Sequence, residues 1–95
     1  MDKLSTEAIE RRMADFEDWV LMGESLQRTF GFDDFAGAMV FVNSVAELAE
    51  RLQHHPDIMI RYSKVTLTLT THDAGGLSER DFEFARAIDE VVAPA

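Results

Sequence analysis

The segment from residue 35 to residue 52 places the strongest constraint on how this chain can fold. Apolar side chains recur in it at helical spacing, and two more widen the stripe. They are Phe35, Ala38, Met39, Val42, Val45, Ala46, Ala49 and Leu52, flanked by Phe41 and Leu48. Asp33 or Asp34 can cap this helix by accepting its first free backbone amides. So broad an apolar surface is predicted to lie across a sheet or at a subunit contact. The helix must end before Pro56, whose ring disfavours a helical backbone at His55.

Strict alternation marks residues 64–71 as a strand. Its apolar face carries Val65, Leu67 and Leu69, and its polar face carries Thr66, Thr68 and Thr70. Successive side chains of an extended strand point to opposite sides, so the apolar face is predicted to be buried. The threonine face, which His72 continues, is left for solvent or a ligand.

Shorter patterns complete the predicted order of elements. Apolar residues at helical spacing predict a helix over residues 5–18 and a last helix after Ser78, which with Asp81 resembles a capping box. Short apolar runs between turn signals predict strands over residues 19–22, 25–32 and 58–62. The order helix, two strands, helix, two strands, helix indicates an α+β fold. We expect one domain over residues 1–95, with a four-stranded antiparallel sheet and helices packed on one face.

The composition argues against several classes of function. The chain has 95 residues, and 18 Asp and Glu against 9 Lys and Arg give a net charge of −9, which repels nucleic acids and anionic membranes. It has no cysteine, and therefore neither disulfides nor thiolate metal ligands. No apolar stretch resembles a signal peptide or approaches the roughly 18 residues of a membrane span, so a cytoplasmic location is expected. A domain this small gains stability from self-association, which favours an oligomer.

Three histidines are the candidate proton-transfer groups. His54 and His55 lie at the predicted exit of the long helix, and His72 lies at the end of the alternating strand. Histidine titrates near neutral pH, so it can both give and take protons under working conditions. Glu50 precedes His54 by four residues on the same helix, so we expect its carboxylate to contact the His54 ring and fix the tautomer.

Plainer interpretations of the same residues remain open. Adjacent histidines at a helix end are often exposed polar residues. Trp19 can fill the core as well as offer a flat surface to a heterocycle. A zinc site built from three histidines is a further alternative. The chain lacks the spacing that places two imidazoles on one face of an element, so the sequence predicts no metal and no other cofactor.

Taken together, the motifs resemble those of the pterin-4a-carbinolamine dehydratases. The resemblance lies in Glu50-Arg51-Leu52-Gln53-His54-His55-Pro56-Asp57, in Tyr62 with Val65, and in the run from Thr71 to Asp81. It spans most of the chain from Trp19 onward, and only the first helix is generic. Two positions depart from the family pattern: Ile58 stands where many members carry an aromatic residue, and Ser63 stands where Asn is common.

The resemblance implies a metal-free hydro-lyase that removes water from 4a-hydroxytetrahydropterin to give quinonoid dihydropterin, beside an aromatic amino-acid hydroxylase. His54 and His72 would carry the acid and base roles, and His55 would position the substrate. Glu50 would orient His54, and Asp81 would support the His72 side of the pocket. The remaining candidate site residues are Trp19, Pro56, Asp57, Tyr62, Thr71 and Asp73. The family fold, a four-stranded antiparallel sheet with helices on one side that assembles as dimers or tetramers, agrees with the predicted elements.

A second hypothesis is a non-catalytic binding or dimerisation module. An animal member of the resembling family also stabilises the dimer of a homeodomain transcription factor. A pure scaffold has no chemical reason to keep three histidines at this spacing, so the sequence favours the enzyme.

Overall fold

In residues 2–92, which the computed structural model describes, the chain forms three α-helices and four strands in the expected order. The elements are α1 (Thr6–Met13), β1 (Val20–Met22), β2 (Ser25–Gly31), α2 (Phe35–Leu52), β3 (Asp57–Arg61), β4 (Lys64–Leu69) and α3 (Glu79–Val92), with a 3₁₀ turn at His72–Ala74. The strands form one antiparallel sheet in the order β1-β2-β4-β3. The predicted α+β class and element order are confirmed.

The central strand pair divides the sheet into a buried and an open face. On the buried face, Leu26, Arg28 and Phe30 of β2 lie opposite Leu69, Leu67 and Val65 of β4. On the open face, the hydroxyls of Thr29 and Thr66 share a hydrogen bond of 2.8 Å, and Gln27 donates to Thr68 at 3.3 Å. The threonine face of β4 therefore carries cross-strand hydrogen bonds away from the helices.

A single hydrophobic core fills the space between the buried face of the sheet and the helices. Its largest fully buried apolar side chains are Phe82, Phe84, Leu26, Leu67, Leu69, Leu77 and Ile88. Three of them belong to α3, so the last helix supplies much of the core.

Within residues 2–92, no helix is both long enough and apolar enough to cross a membrane.

Helix α1 ends at Met13, earlier than the predicted boundary near residue 18. The backbone amides of Asp15 and Phe16 donate to carbonyls three residues back, which tightens the chain into turns. These turns carry Phe16 and Trp19 into the core, where each is only 3% exposed. Phe16 packs against Phe82, with ring centroids 5.3 Å apart. Burial of the two aromatic side chains thus outweighs continuation of a mostly charged helix.

Helix α2 begins and ends with defined caps. The Asp34 carboxylate accepts the backbone amide of Gly37 at 2.7 Å, which selects Asp34 over Asp33 as the cap. At the other end, Gln53 adopts the left-handed conformation with φ 52°, and the amide of His54 donates to Ala49 O at 3.1 Å. Such a left-handed residue reverses the chain direction and satisfies free carbonyls of the last turn. The chain therefore leaves the helix before His54.

Candidate active site

The exits of α2 and β4 meet the start of α3 in a cleft of about 220 Å³. Its lining residues are Gln53, His54, His55, Thr70, Thr71, His72, Asp73 and Arg80. All three histidines of the chain line this one cleft, although they come from segments on either side of β3 and β4. Clefts of similar volume lie elsewhere on the surface, so the side chains and not the size distinguish this one.

His54 is held by a buried carboxylate. Its Nε2 lies 2.6 Å from Oδ1 of Asp81, which is fully buried, while the His54 side chain itself is 10% exposed. The other oxygen of Asp81 accepts the Thr71 hydroxyl at 2.8 Å and the Ser78 backbone amide at 2.9 Å. The His54 ring also packs edge-on against Phe84 at 6.1 Å between centroids. These contacts fix both the position and the rotation of the imidazole.

The predicted contact between Glu50 and His54 is wrong. Glu50 Oε2 instead lies 2.7 Å from Nε2 of His55, and both side chains are exposed, at 74% and 65%. The left-handed turn at Gln53 ends the helical spacing before His54, which sends His54 inward and brings His55 over Glu50. An exposed pair of this kind contributes only about 0–1 kcal/mol to the free energy of unfolding. The carboxylate that orients His54 is Asp81.

Asp81 reaches the His72 side only through Thr71, the residue before His72, whose hydroxyl it accepts, while its other oxygen contacts His54. His72 is exposed at the rim and begins the 3₁₀ turn after β4. Gly75, left-handed at φ 78°, donates its amide to the carbonyls of Thr71 and His72, and Thr71 pairs with Gly76 in a β-bridge. This closed turn fixes the backbone from which His72 projects.

Six of the sequence-based candidates lie outside the cleft lining: Glu50 and Asp81, which contact lining histidines, and Trp19, Pro56, Asp57 and Tyr62. The Trp19 indole is buried and donates to Asp89 at 2.8 Å, so it offers no face to a heterocycle. Asp57 is exposed at the start of β3. Tyr62 is 85% exposed in the turn between β3 and β4, separated from the cleft by the six residues of β4, or about 20 Å. Trp19 and Tyr62 are therefore not brought to this site.

Tyr62 occupies a left-handed backbone position, with φ 56°. That conformation costs a side chain other than glycine roughly 1–2 kcal/mol, which exceeds the extra chain entropy that glycine loses on folding. We expect Tyr62→Gly to raise the free energy of unfolding by about 0.5–1 kcal/mol in urea titrations. The matched control is Ser63→Gly at the next turn position, which has no positive φ and should instead lose stability. Equal losses in both variants would contradict the prediction.

Arg80 is a site residue that the sequence interpretation missed. It lies in the first turn of α3, and its guanidinium donates to the carbonyls of Leu52, at 3.1 Å, and Gln53. A cation in the first helical turn is disfavoured by the helix dipole, and this is the signal that could have revealed a partner elsewhere. Arg80 thus ties the start of α3 to the end of α2, next to the histidine pair.

We expect Arg80→Met to lower the free energy of unfolding by about 1–3 kcal/mol, because two carbonyls at the end of α2 lose a charged donor. Arg11→Met, the same substitution on the exposed side of α1, should change it by less than about 0.5 kcal/mol. Chemical denaturation of both variants measures the difference. Similar free energies of unfolding for the two variants would show that Arg80 does not stabilise the contact between α2 and α3.

Gln53, Thr70 and Ser78 were also missed. Gln53 and Thr70 line the cleft beside predicted residues, and Ser78 lies fully buried beneath it. The pairing of Ser78 with Asp81 was visible in the sequence as a capping box, and the Asp81 side chain does accept the Ser78 amide.

Within residues 2–92, no group of three or more His, Asp or Glu side chains is arranged to hold a metal ion.

Comparisons with known proteins identify the family. The family model described as pterin 4 alpha carbinolamine dehydratase matches residues 2–91. A protein of Acidobacterium capsulatum named "Putative pterin-4-alpha-carbinolamine dehydratase" is 50% identical over 92 residues, which cover 97% of this chain and 100% of that protein. A protein of the same name from Chloroflexus aurantiacus is 51% identical, covering 97% and 99%. The chain belongs to the pterin-4a-carbinolamine dehydratase family.

Two solved structures share the fold. A transcriptional coactivator/pterin dehydratase from Brucella melitensis superposes with a TM-score of 0.92 at 30% identity, over 97% of this chain and 100% of that one. A pterin dehydratase-like protein identified as a RuBisCO assembly factor in the α-carboxysome superposes with a TM-score of 0.69 at 26% identity, over 82% and 93%. The fold thus occurs both in a dehydratase and in an assembly factor.

Proposed function

We propose that this protein removes water from 4a-hydroxytetrahydropterin to give quinonoid dihydropterin. The observation that carries the proposal is the His54–Asp81 pair, a buried carboxylate holding an imidazole at 2.6 Å in a cleft that His55 and His72 also line. Membership of the dehydratase family supports the same reaction class. An imidazole fixed in this way is suited to general acid–base catalysis.

The reaction needs one proton delivered and one removed. As the C4a–O bond breaks, a general acid protonates the leaving hydroxyl so that it departs as water. A general base takes the proton from the adjacent ring nitrogen, whose electron pair forms the new C=N bond. His54 and His72 are assigned these two roles, and His55, steadied by Glu50, positions the substrate. Neither step consumes an oxidant or a reductant, so side-chain proton transfer suffices for the chemistry.

A hydroxylase-coupled assay tests the reaction. An aromatic amino-acid hydroxylase generates the 4a-hydroxypterin in situ, and the purified protein should accelerate the loss of its absorbance over the spontaneous rate. The matched control is Thr68→Val, a change on the open face of the sheet, which should accelerate it as the wild type does. No acceleration by the wild-type protein would reject the proposal.

We further propose that the protein acts in the cytoplasm in pterin recycling, beside the hydroxylase that forms the substrate. An acidic chain without cysteines is compatible with a reducing compartment. Co-purification of a tagged chain with such a hydroxylase tests the partnership, and recovery of equal amounts of hydroxylase by an untagged control would contradict it.

The second candidate function is a protein-binding module, which the assembly-factor relative favours. Its test is a variant in which all three histidines are replaced by glutamine. If a specific partner is recovered equally by this variant and by the wild type, while the wild type shows no dehydration, the binding module replaces the enzyme.

We propose a homo-oligomer in which strand β3 meets its copy. β3 is an edge strand, and its Ile58, Met59 and Ile60 are 37%, 52% and 37% exposed. Exposed apolar edges favour pairing with another strand. In an antiparallel pair centred on Met59, Asp57 of one copy lies opposite Arg61 of the other, so the charges are complementary.

Met59→Lys should lower the molar mass in light scattering, because two lysines would face each other across the paired edge. Glu17→Gln changes the net charge by the same amount at an exposed loop and should leave the mass unchanged. An unaltered mass for Met59→Lys would exclude the β3 edge as the contact.

A further inference from the structure

Beneath the cleft lies a polar cluster around Asp81, in which Ser78 and Thr71 have no part in the proton-transfer roles proposed above. It consists of Ser78 and Asp81, both fully buried, and Thr71, which is 4% exposed. The hydroxyls of Thr71 and Ser78 lie 2.7 Å apart, and that of Thr71 lies 2.8 Å from Asp81 Oδ2. Buried polar groups in such numbers are costly unless every hydrogen bond is made, and within residues 2–92 every buried side-chain nitrogen and oxygen has a partner.

The hydrogen bonds of this cluster run in one direction. Each hydroxyl carries a single proton. Thr71 donates its proton to Asp81, so the proton between the two hydroxyls must come from Ser78. The Ser78 oxygen in turn accepts the backbone amide of Arg80 at 3.3 Å. A directed chain therefore leads from the first turn of α3, through Ser78 and Thr71, to the carboxylate.

The donors to Asp81 also bear on which atom carries the proton in its hydrogen bond to His54. Oδ2 of Asp81 receives two donors, the Thr71 hydroxyl and the Ser78 amide. An ionised carboxylate only accepts hydrogen bonds. With Asp81 ionised, Oδ1 also accepts, and the proton in its 2.6 Å contact with His54 belongs to Nε2 of the ring. In a neutral imidazole this leaves Nδ1 without a proton.

We infer that Ser78, acting through Thr71 and Asp81, is a positioning residue that keeps neutral His54 protonated at Nε2, so that Nδ1 is the nitrogen that exchanges a proton with the substrate. The part that concerns the substrate rests on the proposed dehydratase function, whereas the tautomer does not. When the chain of hydroxyls is cut, Asp81 can take up a proton and donate it to a bare Nε2. The ring proton then lies on Nδ1, and the reactive nitrogen is blocked.

Long-range ¹H–¹⁵N NMR of the full chain, with His54 assigned by comparison with His54→Gln, tests the tautomer directly. We expect wild-type His54 to be protonated at Nε2, and Ser78→Ala and Thr71→Val to show the Nδ1-protonated form in part or in full. In the coupled assay Thr71→Val should lose about 10- to 100-fold in kcat, as for a lost hydrogen bond to a charged group, and Ser78→Ala about 2- to 10-fold, as for a lost bond between neutral hydroxyls, each with a smaller change in KM.

Two conservative variants separate positioning from packing. Thr71→Ser keeps the hydroxyl and should restore both the wild-type tautomer and most of kcat. Thr68→Val makes the same change as Thr71→Val three residues earlier, within β4, where the hydroxyl accepts from Gln27 on the open face of the sheet, and should behave as wild type. Wild-type His54 protonated at Nδ1 overturns the inference whatever the variants do. Ser78→Ala with the wild-type tautomer and kcat overturns the role of Ser78. The expected tautomers without any dehydration would leave the positioning intact and reject only the dehydratase.

Discussion

His54→Gln should reduce the rate of enzyme-catalysed dehydration about 10²- to 10⁴-fold, the usual contribution of one general acid or base. The glutamine amide can reach the place of the imidazole Nε2 and still donate to Asp81, which in the wild type accepts this bond at 2.6 Å. It cannot exchange a proton near neutral pH. We therefore expect the catalytic rate to collapse while the fold and most of the stability remain.

The coupled assay, run beside thermal unfolding, measures both effects for this variant. His55→Gln is the matched control, because it makes the same change one residue later, at a ring that is 65% exposed and hydrogen-bonds to the exposed Glu50. Its loss of rate should be smaller. Near-full activity of His54→Gln would refute the assignment of His54 to proton transfer.

Asp81→Ala should lower the free energy of unfolding by about 3–5 kcal/mol, because each buried donor left without its acceptor costs about 1–3 kcal/mol. The substitution takes away the acceptor for three groups: the His54 ring, the Thr71 hydroxyl and the Ser78 amide. All three lie where water cannot readily replace the lost bonds, since the residues that bear them are less than one-tenth exposed. For a domain of 95 residues this is a large share of the total stability.

Urea or guanidinium titrations of Asp81→Ala give this difference. Asp81→Asn keeps an oxygen that can accept from Thr71 and Ser78, so it should lose less. Asp15→Ala, at an exposed carboxylate, should stay within about 0.5 kcal/mol of wild type. If Asp81→Ala is no less stable than Asp15→Ala, the buried network does not hold this end of α3 in place.

The periodic parts of the fold were predictable from local pattern alone. Helix α2 and strand β4 repeat their apolar residues over 18 and 6 positions; the structure has α2 over the predicted apolar stretch and ends β4 at Leu69, two residues before the predicted end of that strand. The first helix was predicted too long because the partner of Phe16, the ring of Phe82, is distant in sequence. Long-range packing ended that helix, and no local signal records it.

The sequence predicted which residues line the candidate site more accurately than it predicted which of them contact each other. The three histidines, Thr71 and Asp73 do line one cleft. The partner of His54 was wrong because a left-handed glutamine at position 53 breaks the helical spacing, and glutamine gives no sign of that conformation as glycine would. Arg80 contacts the carbonyls at this turn from another helix, which is again information that local sequence does not carry.

The pairing of His54 with Asp81 also bears on how the protein comes to be functional during synthesis. The two residues are 27 positions apart, and the carboxylate belongs to the last helix. A ribosome completes α2, β3 and β4 before α3 has emerged, so the nascent chain can carry its histidines for some time without the group that orients them. Assembly of the cleft is thus expected to coincide with docking of α3, and the environment of the His54 ring would serve as a late reporter of folding.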